Sequence, residues 1–207
     1  IEARARQAEA SGYDSIWVYD HLFHRFEGHA TVGFHEGWTV LSALAAVTTR
    51  VELGTTVLCA GFRNPALLAK MATTLDTIAG GRLILGIGAG WHEPEFDGFG
   101  FPFDHRVSRF EEALQIIRPL LRDGEVTFHG TYHHAERCVI LPPGIRRDGP
   151  PILIGAFGPR MMRLTARYAD QWTIDWLGPE ERVREQLGNL HEACRAEGRD
   201  PSTLTIT

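Results

Sequence analysis

Long hydrophobic runs are missing from this 207-residue chain. No stretch of ~18 uncharged apolar residues occurs, so no transmembrane helix is expected. Positive charge is also short: the formal net charge is −5, and no basic cluster stands out beyond Arg146-Arg147. Nothing here offers an electrostatic footprint for nucleic acid. The cysteines, Cys59, Cys138 and Cys194, are odd in number, widely spaced and outside any metal or redox motif, a pattern suited to a reducing cytoplasm. His21 and His24 lie three apart with His29 and His35 nearby, but no carboxylate-rich or cysteine pattern joins them. His133 and His134 fall on an expected hairpin, where adjacent side chains point to opposite faces. No metal site is expected. Repeats and low-complexity segments are likewise absent, and 43% hydrophobic residues suffice for one core in a single domain over 1–207.

What the chain does contain is concentrated between Asn64 and Phe96. Asn64 can cap a helix whose first turn holds Pro65, and apolar residues at Leu67, Leu68, Met71, Leu75 and Ile78 recur at helical spacing. Gly80-Gly81 supply the left-handed conformation that stops it. Leu83 to Ile87 then form a continuous apolar run of strand length, as in a parallel strand covered on both faces. The run ends at Gly88, Ala89, Gly90 and Trp91, small residues that let a ligand approach the backbone.

The same alternation recurs. Asp14 to Tyr19 reads as a strand ending at Asp20-His21, and Val51 to Val57 as another ending near Cys59. Ile152 to Ile154 leads into Gly155-Ala156-Phe157-Gly158 and a helix from Pro159 to about Ala169; Gln171 to Asp175 precedes a helix from Pro179 to Arg195; Leu204 to Ile206 is a last strand. Strands alternating with helices of ~10–15 residues imply parallel pairing through right-handed crossovers. The expected fold is α/β, a TIM (β/α)8-type barrel, with an open doubly wound sheet as its rival. About six strands are counted where such a barrel has eight, and the chain opens at Ile1 inside a helix and closes in a strand at Thr207. It is therefore expected to be a barrel truncated at both ends. Between the helix Arg106 to Arg122 and the strand at Ile152, Val126 to His134 and Cys138 to Leu141 read as a hairpin. They mark an insertion over 124–150, before the fifth barrel strand.

GFRNPALLAKM (Gly61 to Met71), GGRLILGIGAGWHEPEF (Gly80 to Phe96), WVYDHLFHRFEG (Trp17 to Gly28) and IGAFGPRMMRLTARYADQW (Ile154 to Trp172) together resemble the luciferase-like monooxygenase family, in particular its deazaflavin-dependent (coenzyme F420) branch. The resemblance covers nearly the whole chain. It implies a βα-barrel with an insertion before the fifth strand and a deazaflavin, or alternatively flavin mononucleotide (FMN), in the barrel mouth.

Site residues follow from the same resemblance. His21 is the leading catalytic residue, facing the cofactor ring, with Asp20 beside it to orient or charge-balance it; an imidazole exchanges protons readily near neutral pH. Thr56-Val57 matches a position where the family often carries a non-proline cis peptide against the back of the ring. Ala89, Gly90 and Trp91 match the turn that meets the ring's polar edge, although His92 stands where many relatives carry Asn. His92, Glu93 and Glu95 are as well read as surface polar residues of that turn. Gly155, Ala156, Phe157 and Gly158 match a phosphate-binding turn at a helix N-terminus, with Arg160 adding an ion pair. Phe96, Phe99, Phe101 and Phe103 are expected mostly as rim packing, Trp17 as core, and Trp176 as a flank of the pocket.

No nucleophile with a paired base and no metal cluster is seen, so the redox chemistry must reside in a cofactor. The expected activity is hydride transfer between the deazaflavin ring and a small organic substrate. FMN-dependent monooxygenation with dioxygen, or a non-catalytic flavin-binding fragment, are the alternatives. Neither nucleic acid nor membrane is expected as a partner; a homodimer and a cytoplasmic location are.

Overall fold

The computed structural model describes residues 1–174 and 178–207. Asp175 and Trp176, read from sequence as a strand end and a pocket flank, lie outside the described residues. In chain order the first half carries α1 (Glu2–Ala10), β1 (Ser15–Val18), β2 (Phe23–His24), β3 (Val32–Gly33), α2 (Gly37–Val47), β4 (Glu52–Thr55), β5 (Leu58–Cys59), α3 (Pro65–Ile78) and β6 (Leu83–Gly88). The second half carries α4 (Glu93–Phe99), α5 (Arg106–Asp123), β7 (Glu125–His129), β8 (His134–Val139), β9 (Ile152–Gly155), α6 (Pro159–Tyr168), β10 (Gln171–Thr173), α7 (Glu180–Ala196) and β11 (Thr205–Ile206).

Local chemistry sets these boundaries. Asn64 Oδ1 accepts the Leu67 amide and Pro65 fills the first turn, so α3 starts there. Gly80 and Gly81, at φ 63° and 84°, end it. Its inner face differs from the expected one. Leu68, Ala69, Ala72 and Leu75 are buried, whereas Leu67 and Ile78 point outward. A helix lying on a sheet brings its small residues inward for close approach, and the flanking large ones are left outside.

The strands run β1-β4-β6-β9-β10-β11 across one sheet, every neighbouring pair parallel, with β5 also on β6. Spatial order equals chain order. A doubly wound sheet reverses its order at a switch point, so the rival topology is excluded, and the sheet is a partial barrel. All six residues of β6 are buried. Close packing demands glycine at places: a Cβ on Gly54 would stand 2.2 Å from the Trp17 ring lying across it. The hairpin β7–β8 lies between α5 and β9 as a separate two-stranded sheet.

Two ionic clamps tie loops to this frame. Asp76 accepts the Leu83 amide and the Arg146 guanidinium, which also donates to the Leu83 carbonyl. Arg146 thus works on the connection into β9 rather than on a polyanion. Glu9, at the end of α1, accepts the amides of Thr49, Arg50 and Val51 at 2.9, 2.6 and 3.1 Å. The amides of Arg50, then Thr49 and Val51, lower its pKa from 4.5 to about 2.

Because the folded value lies below the unfolded one, the Glu9 carboxylate stabilises the fold above about pH 4.5 and ceases to as pH falls toward 2. Glu9→Gln should lower the melting temperature at pH 7 and lose its deficit relative to the parent over that acid window. A calorimetric deficit that stays constant with pH would contradict this.

Candidate active site at the carboxyl ends of the strands

A cleft of about 260 Å³ opens where β1, β4, β6 and β9 end. This volume is close to the roughly 300 Å³ at which small-molecule pockets begin. Asp20, His21, Thr56, Val57, Ala89, Gly90, Trp91, Gly155, Ala156 and Phe157 all line it. Gly158 and Arg160 lie outside that lining.

His21 sits in the loop after β1, and its orientation is set from α4. Its Nδ1 is 2.9 Å from Glu95 Oε2, while Glu95 Oε1 accepts the amides of Leu22 at 2.5 Å and Phe23 at 3.2 Å. Glu95 is only 2% exposed. An ionised carboxylate only accepts, so Nδ1 carries the hydrogen and Nε2 is left for a ligand. Sequence reading left Glu95 open between a polar contact in the site and a surface residue of the turn. The structure decides against the surface reading, because residues 93–99 form a helix that turns Glu95 and Phe96 inward and Glu93 outward. The same holds for His92: it is buried, and its Nε2 accepts the Arg25 amide at 3.1 Å.

Asp20 does not hold His21. Both its oxygens meet Arg63, at 2.6 and 2.8 Å, and Oδ2 also accepts the Cys59 amide at 2.8 Å. Burial pushes the Asp20 carboxyl up, while Arg63 and the Cys59 amide pull it down. Against burial that works to strip its proton, Arg63 is held above the ordinary guanidinium value by Asp20 and Glu36. With both prongs of the guanidinium engaged, the pair is ionised. Arg63 Nη2 also reaches Glu36, whose carboxylate caps α2 through the Trp38 and Thr39 amides. One ion network, buried at Asp20 and partly exposed at Glu36, therefore joins the end of β1 to the starts of α2 and α3.

The floor of the cleft is apolar. The Thr56–Val57 peptide is cis, and Val57 fills the space over two glycines. A Cβ on Gly88 or Gly155 would come within 2.9 or 3.2 Å of its methyl groups. Gly90, at φ 78°, is hemmed by Cys59 Sγ and the Phe96 ring, so the turn before Trp91 has room for no side chain. Burial pushes the Cys59 thiol up to about 12. It is an uncharged wall, not a nucleophile.

At the far side, Gly158 caps α6 and Pro159 occupies its first turn. The amide of Met161, a residue of the cleft lining, has no backbone acceptor among the described residues, as expected of a helix start. Arg160 turns the other way, onto Glu111 at 2.6 Å and Ser108 at 3.0 Å. The expected cation is thus spent on α5. Arg106, missed from sequence because it opens a helix remote in the chain, lines the cleft instead, with its guanidinium 4.7 Å above the Phe103 ring and no ion pair among the described residues.

The remaining sequence readings sort plainly. Phe96 is buried in the cleft wall, packed on Phe62 and Phe103, while Phe99 is exposed. Burial, then the neighbouring His21, lowers the His24 pKa, and its buried Nε2 has no hydrogen-bond partner. His133 and His134 are not the pair that converges on the hairpin. His129, His134 and Glu136 do, with their ligand atoms within 4.8 Å on an exposed face away from the cleft lining.

The model of the luciferase-like monooxygenase family matches residues 1–207, and the chain belongs to that family. It is 37% identical to the phthiodiolone/phenolphthiodiolone dimycocerosates ketoreductase of Mycobacterium tuberculosis, over 99% of this chain and 59% of that protein. It is 36% identical to the F420-dependent glucose-6-phosphate dehydrogenase of Kineococcus radiotolerans, over 98% of this chain and 60% of the relative. Among solved structures it is similar to an F420-dependent secondary alcohol dehydrogenase in complex with an F420-acetone adduct, with a TM-score of 0.85, 27% identity, and coverage of 99% and 62%. The chain spans about three fifths of the length of the curated relatives it matches.

Removing one partner of a buried ion pair leaves the other charge uncompensated, which costs about 3–5 kcal/mol. Arg63→Met should therefore lower unfolding stability by about that amount, measured by urea denaturation. The double variant Asp20→Asn/Arg63→Met should recover part of the loss. A single-variant loss below about 1 kcal/mol would place the pair among weak surface contacts.

Proposed function

We propose that the chain is an oxidoreductase that moves a hydride between coenzyme F420 and a small organic substrate, with His21 handling the accompanying proton. The observation that carries this reading is the His21–Glu95 pair, which leaves His21 Nε2 for a ligand beside a flat apolar floor. That floor fits a planar ring: Gly88 and Gly155 admit the Val57 methyl groups between the strand ends, so Val57 and small residues are what the floor presents. When bound, the deazaflavin supplies the hydride at its ring, since the cleft lining holds no group able to carry two electrons. The relatives described as F420-dependent favour it over FMN and dioxygen.

In this reading Val57 backs the ring, held by the Thr56–Val57 turn, and the Ala89-Gly90-Trp91 backbone meets its polar edge. The Gly155-Ala156-Phe157-Gly158 turn, the start of α6 and Arg106 take the anionic tail, an arrangement that uses helix N-terminal amides and one guanidinium. In oxidation the bare Nε2 of His21 accepts the proton; in reduction the ring, then protonated at both nitrogens, donates from Nε2 to a carbonyl oxygen while its Nδ1 hydrogen stays on Glu95. Glu95 fixes its tautomer throughout. Asp20 works through the loop it anchors. We assign the activity to the cytoplasm, which the free thiols of Cys59, Cys138 and Cys194 favour. A homodimer would use the outward stripe Leu67, Met71 and Ile78 of α3.

His21→Ala should cut turnover by ~10²–10⁴-fold while deazaflavin affinity, read by ring fluorescence, stays within about threefold. Arg106→Gln should weaken that affinity roughly tenfold. Unchanged turnover in the first variant, or tighter binding of FMN than of the deazaflavin, would overturn the reading.

A further inference from the structure

Away from the cleft, three polar side chains meet at the tip of the β7–β8 hairpin. His129 ends β7 and His134 opens β8, and the antiparallel register sets them directly opposite each other, where cross-strand side chains share a face. Glu136, two residues further along β8, reaches the same face. His129 stands between the other two: its Nδ1 is 2.9 Å from His134 Nδ1, and its Nε2 is 3.3 Å from Glu136 Oε2. One ligand atom from each residue lies within 4.8 Å of the others, and among the described residues no other three His, Cys, Asp or Glu side chains meet in this way. Pairing His133 with His134 by adjacency misses this cluster, since neighbours along a strand face opposite ways while the true partner lies across the turn.

Two ring nitrogens come this close only with a shared hydrogen or a metal ion between them. The donor set separates the ions. Imidazole nitrogen suits zinc, copper and nickel, whereas magnesium and calcium require oxygen ligands, of which the cluster offers one carboxylate. With nitrogen–zinc bonds of about 2.0–2.1 Å, neighbouring ligand atoms of a tetrahedral site stand ~3.3 Å apart, so small side-chain rotations close the cluster on an ion. All three side chains are exposed and make such rotations without repacking. The backbone beneath them is held firmly. The Gly130 amide donates to the His133 carbonyl at 2.9 Å, and Glu112 of α5 accepts the amides of Thr131, Tyr132 and His133 at 2.8, 2.8 and 2.9 Å. A Cβ on Gly130 would run into the Glu112 carboxylate, and Arg109 lies over the Tyr132 ring at 4.5 Å. The turn that spaces His129 from His134 is thus fixed from outside the hairpin, and less freedom is lost when the ligands converge.

We infer that the β7–β8 tip binds a divalent transition-metal ion of the zinc type, held by one nitrogen each of His129 and His134 and by the Glu136 carboxylate, with water completing the coordination. None of the three lines the cleft, so the ion's work is structural. It joins the last residue of β7 to the first of β8 and closes the turn that Glu112 fastens to α5. This site is independent of what the cleft binds.

The test uses the full chain, treated with a chelator and dialysed, then titrated with zinc chloride in a calorimeter, with magnesium chloride as the contrasting hard ion. Zinc should bind one to one in the micromolar range, and magnesium should not bind. His129→Ala and His134→Ala should each weaken zinc binding by at least about tenfold, the loss that even an outer partner of a metal site carries. His191→Ala, which removes an exposed histidine of α7, should leave it unchanged. In the unaltered chain, zinc should shift the nitrogen-15 resonances of the His129 and His134 rings and slow hydrogen exchange of the amides of residues 130–133. Zinc binding only in the millimolar range, binding indifferent to both histidine variants, ring shifts confined to other histidines, or exchange in the turn unaltered by bound zinc would overturn the inference.

Discussion

One carboxylate organises this site. Glu95, buried at the start of a short helix, holds three hydrogens that all come from consecutive residues of a loop seventy-odd positions earlier: the ring of His21 and the amides of Leu22 and Phe23. Without such an acceptor, two amides beneath the mouth would be left unsatisfied, each costing about 1–3 kcal/mol. The same oxygens choose the imidazole tautomer. Architecture and proton chemistry are thus fixed by a single group, which is economical but leaves that position little freedom to vary.

A second network works at one remove. The Asp20–Arg63–Glu36 chain binds the end of β1 to the starts of α3 and α2, so the strand tip that carries His21 cannot drift from the tip that carries Val57. The parallel, in-order sheet then brings the remaining strand ends to the same side. Small residues at those ends keep the floor flat, with the rings of Trp91, Phe96 and Phe157 around it. The division of the cleft into a flat floor and an α6 end with one guanidinium follows from which loops each strand feeds.

The parts legible in the sequence were those written in local code. The Asn64-Pro65 start and Gly80-Gly81 stop of α3, the unbroken apolar run of β6 and the alternation of strands and helices depend on neighbours in the chain, and periodicity reports them directly. The order of the sheet followed from that alternation. Glu95 was not legible, since Glu-Pro-Glu-Phe after a glycine turn has the polarity of a surface loop until the helix it opens is seen to face inward. One signal pointed to it: Phe96 beside it had to be buried somewhere. Asp20 was assigned to His21 through the family resemblance, but neighbours at a strand end diverge, and its partner Arg63 lay in the polar gap just ahead of a helix cap. Arg160 and Arg106 were exchanged for the same reason, because only the packing of α5 against α6 shows which guanidinium is already engaged. The β2–β3 hairpin, two residues per strand, is too short for any periodicity to register.

The account turns on Glu95 fixing the His21 ring, and nitrogen-15 NMR of the histidine side chains, comparing the chain with Glu95→Gln, tests it most directly. The account predicts that neutral His21 carries its hydrogen on Nδ1, leaving Nε2 bare, and that the substitution shifts this tautomer balance while other histidines stay unmoved. An Nε2-protonated His21 in the unaltered chain, or a His21 spectrum indifferent to the loss of the carboxylate, would contradict it.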